Sequence, residues 1–528
     1  MRTPENRCRR PVKRSCALAL VAALVACGEA SQGVPLTTPQ SVGVDRGIGP
    51  RGRLSVLAGN SRYFTDATGR RAVYLTGSHT WNNFQDWGLT DPPRPFDYAA
   101  YLDFLERHGH NFIRLYVWEQ AAWFPGNETK VTISPLPYLR TGPGSALDGG
   151  PRFDLTQFNP AYFQRLHERV QAAGRRGIYV SVMLFDGWSI ELKGEKVGNP
   201  WRGHPFNREN NVNGIDADLN GDGEGKEAHT LMNPKVTALQ KAYVRKVVET
   251  LGDLDNVLWE ISNESHSESR AWQYEMIRTV KALESANGTR HPVGMTPMWP
   301  PAHDPNEPLF ASPADWISPF SGSSYPVYLE NPPAASGGKV VVSDTDHLWG
   351  IGGSRRWVWE SFMRGMNPIF MDPYVTPIRK NLPAWPSLEV ESRAAAHPSP
   401  DWEEIRVAMG YARALGERVD LASMRPLGEL ASSSYCLASP GQEYLIYLPS
   451  GGGWIRGLME PLLKHFEHER VVADLSAARG EVSVEWIDLG RGQIFASAPV
   501  RGGGSVEFRA PFSGEAVLHL TAQQAGNR

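Results

Sequence analysis

The stretch LWEISNES (residues 258–265) joins an apolar run, typical of a buried β-strand, directly to Asn263 and Glu264. The run is too short for an ordinary helix and polar residues follow it at once, which favours a strand. Burying an amide and a carboxylate costs free energy unless both find polar partners or meet solvent. The stretch therefore predicts a buried strand whose carboxyl end, with Asn263 and Glu264, borders a cleft.

Eight short apolar runs of this kind recur along the chain, and segments with apolar residues at helical spacing lie between them. Eight successive units of a strand and a helix predict an α/β fold with a (β/α)₈ TIM barrel. The predicted strands are residues 72–77, 111–118, 177–185, 256–262, 292–296, 315–319, 339–344 and 367–372. The predicted helices are residues 98–109, 161–177, 236–251, 272–284, 355–365 and 402–419.

Segments on either side of the eight units predict additional structure. Residues 54–75 contain a turn at 67–69 and are expected to form a hairpin that closes the bottom of the barrel. Beyond about residue 420, short alternating runs and Gly-rich turns indicate a small antiparallel β-sandwich, which either binds glycans or supports the barrel. The predicted domains are a catalytic barrel over residues 52–420 and a β-sandwich over residues 421–528.

The first 27 residues have the pattern of a bacterial export signal. Basic residues precede the apolar run CALALVAALVA (16–26), which is too short to span a bilayer. The run ends in LVAC (24–27), which resembles a lipobox, so cleavage would leave a lipidated Cys27; an ordinary secretory signal cut nearby is the alternative. Residues 28–51 have the composition of a linker. We expect a lipoprotein of the cell envelope, periplasmic or on the cell surface, whose only membrane contact is its lipid anchor.

Charge and cysteine content exclude some classes of partner and crosslink. The net charge is −3 and becomes more negative once the basic leader is removed. No basic block remains in the mature chain, which argues against a nucleic-acid partner. Of the four cysteines, only Cys436 lies beyond residue 27, so an intramolecular disulfide is not expected.

Polar and aromatic residues follow the predicted strands at their carboxyl ends, where a barrel gathers its functional side chains. The sequence has no HExxH, no CxxC, no nucleotide-binding glycine loop and no serine elbow. Carboxylates lined by aromatic rings suit glycoside hydrolysis, because one carboxyl group protonates the leaving oxygen while the other attacks the sugar carbon or activates water. The candidate site residues, which are expected to bind substrate or to take part in its hydrolysis, are His79, Trp81, Asn82, Arg114, Trp118, Asp186, Asn263, Glu264, Trp299, Tyr325, Asp344, Asp346, His347 and Asp372.

The ordered set of motifs resembles glycoside hydrolase clan A. As in the family-5-like and apiosidase-like bacterial barrels, Asn263-Glu264 ends strand four, Arg114 lies on strand two and a carboxylate ends strand seven. The N-terminal stretch RYFTDATGRRAVYLTGSHTWNN and a C-terminal β-domain of a type described as collagen-binding are also similar, so the resemblance spans roughly residues 52–525. It implies that Glu264 is the general acid/base and that Asn263 binds the sugar 2-hydroxyl. It also implies that Arg114 orients the strand-seven carboxylate and keeps it ionised, and that Tyr325 hydrogen-bonds it.

Strand seven departs from the clan pattern, because Asp stands where Glu is usual. Aligning KVVVSD (339–344) on the clan's pattern makes Asp344 the nucleophile, with Asp346 as the alternative. Retaining enzymes keep their carboxyl groups about 5–5.5 Å apart and inverting enzymes roughly 6.5–9.5 Å. Aspartate is one methylene shorter, which favours the longer separation. The partners Arg114 and Tyr325 are those of a nucleophile, however, and favour a retaining mechanism.

The segment DADLNGDGEGKE (216–227) fits the calcium-loop pattern D-x-[DN]-x-[DN]-G-x₅-E. Gly223 occupies the position of the usual hydrophobic residue and convincing flanking helices are absent, so an EF-hand domain is not expected. The segment is expected either to bind a structural Ca²⁺ or to form a solvated acidic loop. The candidate calcium ligands are Asp216, Asp218, Asn220, Asp222 and Glu227.

The sequence as a whole predicts an enzyme that hydrolyses O-glycosidic bonds of a poly- or oligosaccharide and needs no cofactor for its chemistry. The alternative is a non-catalytic carbohydrate-binding protein on a degenerate glycosidase barrel, with Asp344 as the sign of lost catalysis. The intact Asn263, Glu264, Arg114 and Tyr325 argue against it. A collagen adhesin built on the β-domain is a third interpretation, which no basic groove or Gly-X-Y-binding signature supports.

Overall fold

Successive side chains along the strand Val257–Asn263 pack into two different cores. Trp259 and Ile261 belong to the large apolar cluster that includes the surrounding helices, whereas Leu258 lies in a separate cluster with Phe112. Alternate side chains of a strand point to opposite faces, so this strand is covered on both sides. Burial on both sides is typical of a strand in a parallel barrel.

The computed structural model describes residues 33–36, 52–124, 130–193, 198–301, 304–321, 327–372, 374, 402–450 and 470–523. Within these residues, eight parallel strands form one sheet in chain order, with strand eight paired to strand one. Strands one and two meet through a hydrogen bond from Asn111 N to Thr76 O of 3.0 Å. The predicted (β/α)₈ barrel is thus confirmed. Its strands are Gly77–His79, Phe112–Leu115, Tyr179–Asp186, Val257–Asn263, Val293–Met295, Trp316–Ile317, Val340–Asp344 and Asn367–Met371.

Helices follow most of the barrel strands, as predicted, and two of them show how the sequence fixes their starts. Asn159 and Asn233 each accept a backbone N–H bond at the N-cap, and a proline occupies the first helical position after each. The short helix Glu307–Ala311 was not predicted. The α-helices among the described residues are Tyr98–Arg107, Pro160–Gly174, Pro234–Leu251, Arg270–Ala286, Glu307–Ala311, Arg355–Met363 and Trp402–Arg418.

A three-stranded antiparallel sheet closes the N-terminal end of the barrel. It consists of Ser55–Val56, Phe64–Thr65 and Ala72–Val73. Leu54, Phe64 and Leu75 from this segment join Phe112, Tyr179, Leu258, Trp316, Val340, Val342 and Ile369 of the barrel in one buried cluster. The predicted hairpin at the barrel's bottom is therefore present. The predicted strand 72–77 belongs in part to this small sheet, and barrel strand one begins only at Gly77.

The C-terminal residues form two antiparallel sheets with alternating faces. On the larger sheet, Tyr447 and Val517 pack in the same cluster as the barrel, whereas Ile446 and Leu518 pack with Phe508 of a two-stranded sheet. This arrangement agrees with the predicted β-sandwich, and it ties one face of the domain to the barrel. The strands are Arg425–Pro426, Cys436–Ser439, Glu443–Leu448, Arg470–Asp474, Glu481–Asp488, Gln493–Arg501, Ser505–Arg509 and Ala516–Ala522.

The segment predicted as a linker, residues 28–51, contributes to this domain. Val34–Pro35 form a strand antiparallel to Gln493 and Ile494 at the edge of the larger sheet. The helix Trp402–Arg418 ends and the strand Arg425–Pro426 begins on either side of the predicted domain boundary at residue 420. The predicted signal peptide and Cys27 lie outside the described residues. In the part of the chain that the structure describes, no helix is long and apolar enough to cross a membrane.

Candidate active site

Arg114 on strand two lies at the centre of a buried network at the carboxyl end of the barrel. Its Nε and Nη2 donate to the two oxygens of Glu260 at 2.9 and 2.5 Å. Its Nη1 donates to Asp344 Oδ2 at 2.8 Å and to Asp346 Oδ2 at 2.9 Å, and its Nη2 also donates to Asn263 Oδ1 at 2.8 Å. A guanidinium has five N–H donors. The five hydrogen bonds therefore occupy the Arg114 side chain fully.

The two strand-seven aspartates differ in their surroundings. Asp344 has no exposed side-chain surface, and its Oδ1 contacts His79 Nε2 at 2.9 Å and accepts from the Asp346 backbone N–H at 3.0 Å. Burial alone would raise the pKa of Asp344, but His79 and Arg114 more than offset it and hold that pKa below its usual range. Asp346 keeps 10% of its side chain exposed, and burial with the nearby Asp344 charge raises its pKa. Asp344 is thus an ionised anchor, and Asp346 is the aspartate with access to the cleft.

Asn263 at the end of strand four is oriented from several sides. Its amide nitrogen donates to Tyr116 Oη at 2.9 Å, and its oxygen lies 3.2 Å from His347 Nε2. His347 Nδ1 contacts Ser318 Oγ at 2.7 Å, and burial with the neighbouring Arg114 charge holds the pKa of His347 well below its usual value. A neutral His347 therefore donates from Nε2 to Asn263 and accepts from Ser318. These bonds fix the direction of the Asn263 amide.

Glu264 is partly exposed and accepts a hydrogen bond from Trp188 Nε1 to its Oε2 at 2.7 Å. Burial, reinforced by the charge of Asp346, raises the pKa of Glu264 to about 8. The Trp188 bond and the positive charges of Lys193 and Arg114 act in the opposite direction but are weaker. Glu264 is therefore protonated at neutral pH, and the carboxyl group of Asp346 lies near enough for its charge to act on Glu264.

Asp186 at the end of strand three is fully buried and supports its neighbours. Its Oδ2 accepts from Ser189 Oγ at 3.0 Å, and Asn263 Nδ2 lies 3.4 Å from its Oδ1. Burial raises the pKa of Asp186 to about 7, and the charge of Glu119 adds to this effect. The residue was predicted to bind substrate, but its contacts are those of a support beneath Asn263 and the loop that carries Trp188.

A buried Glu–His cluster lies beside these residues. Glu119 accepts from His229 Nε2 at 2.9 Å and lies 3.4 Å from His204 Nε2. Burial opposes ionisation of Glu119, but the two histidines more than offset it and lower the pKa of Glu119 to about 2. His229 Nδ1 also contacts Ser265 Oγ at 2.8 Å, next to Glu264 in the chain. The cluster thus connects the segment after strand two to the segment that carries Glu264.

The predicted site residues divide into four groups, of which Asp372 alone forms the last. Those that the structure brings into the network are His79, Arg114, Asn263, Glu264, Asp344, Asp346 and His347, with Asp186 beneath. Trp81, Asn82, Trp118 and Trp299 lie on the segments after strands one, two and five; Trp118 is buried and donates to Trp81 O, and Trp299 is exposed. Tyr325 lies outside the described residues.

Asp372, another predicted site residue, forms an ion pair with a helix that packs outside the barrel strands. Both of its oxygens accept from Arg406 of the helix Trp402–Arg418, at 2.6 and 2.8 Å, and it is fully buried. A carboxylate whose two oxygens bind one guanidinium is typical of a structural ion pair. The expectation that Asp372 contacts substrate is therefore not supported, because its side chain is used between strand eight and this helix.

Glu260 and His204 are site residues that sequence reasoning missed. Glu260 lies within LWEIS, a run whose pattern predicts an apolar strand, yet its side chain points inward to Arg114. Two features of the sequence could have identified Glu260. It shares one face of the strand with Leu258, and a buried arginine requires carboxylate partners. His204 lies in a long insert, and nothing in its local sequence indicates a partner as distant as Glu119.

One group of side chains could in principle hold a metal ion, but a positive charge lies beside it. Among the described residues, one group of potential ligands lies within 4.8 Å of each other, namely Asp344, Asp346 and His347. Arg114 already donates to both aspartates, so a cation there would meet a guanidinium charge.

The predicted calcium ligands do not form such a group. Asp218, rather than Asp216, accepts the backbone N–H groups of Gly221, Asp222 and Gly223. Asp216 Oδ1 accepts only the Asp218 N–H among the bonds of this loop. Calcium binding by residues 216–227 stays a prediction.

Comparisons with known proteins agree with the barrel. A family 5 glycoside hydrolase from Bacteroides vulgatus superposes with a TM-score of 0.54 at 14% identity, over 89% of this chain and 94% of that chain. A second protein from the same bacterium, provisionally described as a glycoside hydrolase, gives 0.55 at 15% identity, over 89% and 82%. Another solved structure, described as a glycoside hydrolase, gives 0.52 at 15% identity, over 89% and 97%.

Sequence comparison adds one match. Residues 106–298 match the model of a family described as a domain of unknown function, DUF6298, and this range includes Arg114, Asn263 and Glu264. No curated protein matches the chain in sequence. The likeness to the solved glycoside hydrolases therefore shows the fold: a (β/α)₈ barrel followed by an antiparallel β-domain.

Proposed function

We propose that this protein is a glycoside hydrolase that cleaves O-glycosidic bonds of a poly- or oligosaccharide. One observation carries the proposal: burial and the nearby charge of Asp346, a carboxyl group that Arg114 holds in place, raise the pKa of Glu264 to about 8. Glycoside hydrolysis needs a carboxylic acid that stays protonated near neutral pH and a second carboxylate on the other side of the bond. The fold shared with glycoside hydrolases supports the same conclusion.

Glu264 acts in this proposal as the general acid/base. Its proton passes to the leaving-group oxygen as the glycosidic bond breaks, and the resulting carboxylate then takes a proton from water. Asn263 lies beside it with its amide oriented by Tyr116 and His347. Such an oriented amide suits a hydrogen bond to a sugar hydroxyl that strengthens as charge develops in the transition state.

Asp346, rather than the expected Asp344, is proposed as the second carboxylate. Both oxygens of Asp344 accept hydrogen bonds inside the protein and its side chain has no exposed surface. Asp346 has exposed surface, and its negative charge raises the pKa of Glu264. Asp344 then keeps Arg114 and His79 in position. The sequence predicts a retaining mechanism with Asp344 as nucleophile; the retaining mechanism stays the preferred form, with Asp346 in that role.

The test is hydrolysis of a panel of aryl glycosides and polysaccharides, with the anomer of the first product followed by NMR. Glu264→Gln and Asp346→Asn are expected to lose activity by about a thousandfold. Asp344→Asn is expected to lose less, because its effect on the reaction is indirect. Glu249→Gln, on the exposed face of the helix Pro234–Leu251, serves as the control and should match the wild type. An inactive Asp344→Asn beside a fully active Asp346→Asn would return the role to Asp344.

The alternative function is carbohydrate binding without catalysis. The observation that favours it is the aspartate in place of glutamate on strand seven, since a shorter side chain reaches less far into the cleft. Calorimetric titration with the same polysaccharides separates the two functions. Binding without hydrolysis in the wild type would favour the alternative, whereas hydrolysis that depends on Glu264 excludes it.

A further inference from the structure

The loop after strand three packs directly against the backbone of Glu264. Gly187 approaches so closely that a Cβ atom there would lie 2.3 Å from the Glu264 carbonyl oxygen, so only glycine fits. Glu264 itself has φ of 44°, in the left-handed region that non-glycine residues rarely adopt. The loop and the backbone of Glu264 are therefore closely packed, so a shift of the loop would also move Glu264.

The next residue of this loop contacts the reactive carboxyl group itself. Trp188 Nε1 lies 2.7 Å from Glu264 Oε2. An indole N–H can only donate, so Oε2 must accept whether Glu264 is charged or neutral. In a neutral carboxyl group the carbonyl oxygen is the stronger acceptor, so the Trp188 bond favours Oε2 as the carbonyl oxygen and Oε1 as the oxygen that carries the proton.

We propose that Trp188 is a positioning residue that selects Oε1 of Glu264 as the oxygen that carries and delivers the catalytic proton. This inference rests on the proposed function, in which Glu264 is the general acid. In the cleavage step the Oε1–H bond breaks, the proton joins the glycosidic oxygen, and the carbon–oxygen bond of the sugar breaks with its electron pair passing to that oxygen. An oxygen of the ionised Asp346 forms the new bond to the sugar carbon. The Trp188 N–H then stabilises the negative charge left on Glu264.

The indole is held in place by the rest of its loop. Lys193 Nζ lies 5.6 Å from the centroid of the Trp188 ring and forms an ion pair with Glu191 at 3.1 Å. Ser189, the neighbour of Trp188, donates to Asp186 at 3.0 Å and accepts from the Glu119 backbone N–H at 2.9 Å. A side chain fixed in this way loses little freedom when it donates to Glu264.

The charged and titratable groups that act on Glu264 are Asp346 from the segment after strand seven, Lys193 from the same loop as Trp188, and Arg114 from strand two. Tyr116 lies near as well and stays neutral, because burial raises its pKa well above the usual value. Trp188→Phe removes the indole N–H, leaves these charged groups in the chain and keeps an aromatic ring near Lys193. It should therefore raise the pKa of Glu264.

The first arm of the test measures that pKa without using activity. Protein labelled with ¹³C at the glutamate carboxyl groups is titrated by NMR, and Glu264→Gln identifies the signal. Trp188→Phe is expected to raise the pKa of Glu264 by about 1, as for the loss of one hydrogen bond to a charged group. Trp359→Phe is the control, because the Trp359 indole N–H is buried without a partner among the described residues. Equal pKa values in Trp188→Phe and the wild type would overturn the inference.

The second arm compares two leaving groups. A substrate whose leaving group must be protonated should lose about tenfold in kcat/KM in Trp188→Phe, while an activated dinitrophenyl glycoside should change by less than about twofold. A purely structural role would reduce both equally and would contradict the inference. If the wild type and Trp359→Phe cleave neither substrate, the proposed function fails, and the NMR arm still decides whether Trp188 controls the Glu264 proton.

Discussion

Every N–H group of the Arg114 guanidinium donates a hydrogen bond within the protein. The acceptors are Glu260, Asn263, Asp344 and Asp346. Arg114 was grouped with the candidate site residues and expected to orient the strand-seven carboxylate, and these bonds leave no donor for a sugar. Its role is to keep two acidic strand-seven side chains and a buried glutamate together, a role that requires its planar five-donor geometry.

Removal of this guanidinium should strongly destabilise the fold. Arg114→Met leaves Glu260 and Asp344 buried without their counter-ion, which is expected to lower the free energy of unfolding by about 3–5 kcal/mol. The control is Arg270→Met, since the Arg270–Glu307 pair is exposed (42% and 52%) and should contribute about 0–1 kcal/mol. Urea unfolding of both variants provides the measurement. Equal small losses would contradict the central position given to Arg114.

The sequence predicted the residues at the strand ends better than those inside the barrel. Asn263, Glu264 and Asp346 follow or end apolar runs, so a barrel topology suffices to bring them together. Glu260 lies inside such a run, and only the side-chain direction of the folded strand reveals it as an Arg114 partner. Asp372 shows the reverse: its position suggested the site, but the outer helix provides Arg406 as its partner.

At the scale of elements, the end of the helix Trp402–Arg418 is joined to the larger C-terminal sheet through charged groups. His519 lies between Glu485 (2.9 Å) and Glu443 (2.8 Å), and Arg418 at the end of that helix donates to Glu485 at 2.7 Å. Burial disfavours a charged His519, but the two glutamates more than offset it and raise its pKa above the ordinary 6.5. The imidazolium is thus part of the junction.

The junction should make stability depend on pH. Because the folded-state pKa of His519 is raised, its contribution is complete below the unfolded value near 6.5 and is lost as pH rises through the folded value. His519→Gln is expected to lower the free energy of unfolding by about 1–3 kcal/mol at roughly pH 6 and by much less at roughly pH 9. His167→Gln, whose pair with Asp253 is mostly exposed, should show little effect at either pH. A pH-independent loss in His519→Gln would contradict this account.

The acidic loop 216–227 permits a separate prediction at this scale. Asp218 already folds the loop by accepting three backbone N–H groups, and these bonds leave Asp222 exposed. If calcium binds here, millimolar calcium should raise the melting temperature of the wild type but not that of Asp218→Asn/Asp222→Asn. A melting temperature that calcium leaves unchanged in the wild type would exclude calcium binding by this loop.

Element types were predictable from the sequence, but their boundaries and partners were not. The run 72–77 is divided between the small sheet at the barrel's bottom and strand one, because hydrogen-bonded pairing rather than hydrophobicity decides where a strand begins. Val34–Pro35 carry no strand pattern of their own. They pair with the edge of a sheet that lies more than four hundred residues away in the chain.

At the scale of the whole molecule, residues 33–528 form one compact unit. Leu445, Tyr447 and Val517 of the larger C-terminal sheet share an apolar cluster with Trp357 and Leu415 of two barrel helices. Sequence patterns separate the two domains by their periodicity, but they do not show that one face of the sheet is part of the barrel's core. That face explains why the domain supports the barrel, whatever else it binds.

Removal of the C-terminal domain should therefore destabilise the barrel. A chain that ends at residue 420 exposes the apolar surface of the helices Arg355–Met363 and Trp402–Arg418, and large exposed apolar patches favour aggregation. We expect this fragment to aggregate or to unfold without a cooperative transition, as measured by light scattering and circular dichroism. A soluble fragment with the melting temperature of the full chain would show that the domains fold independently.

The dependence of kcat/KM on pH tests the central claim most directly, namely that Glu264 is the protonated acid of a two-carboxylate site. A general acid is active only while it carries its proton, and the pKa of Glu264 is raised to about 8. The account therefore predicts that kcat/KM of the wild type is maintained through neutral pH and falls above about pH 8. With an activated substrate, the alkaline decline should disappear in Glu264→Gln. A wild-type activity that stays constant well above pH 8, or an unchanged alkaline decline in Glu264→Gln, would contradict the account.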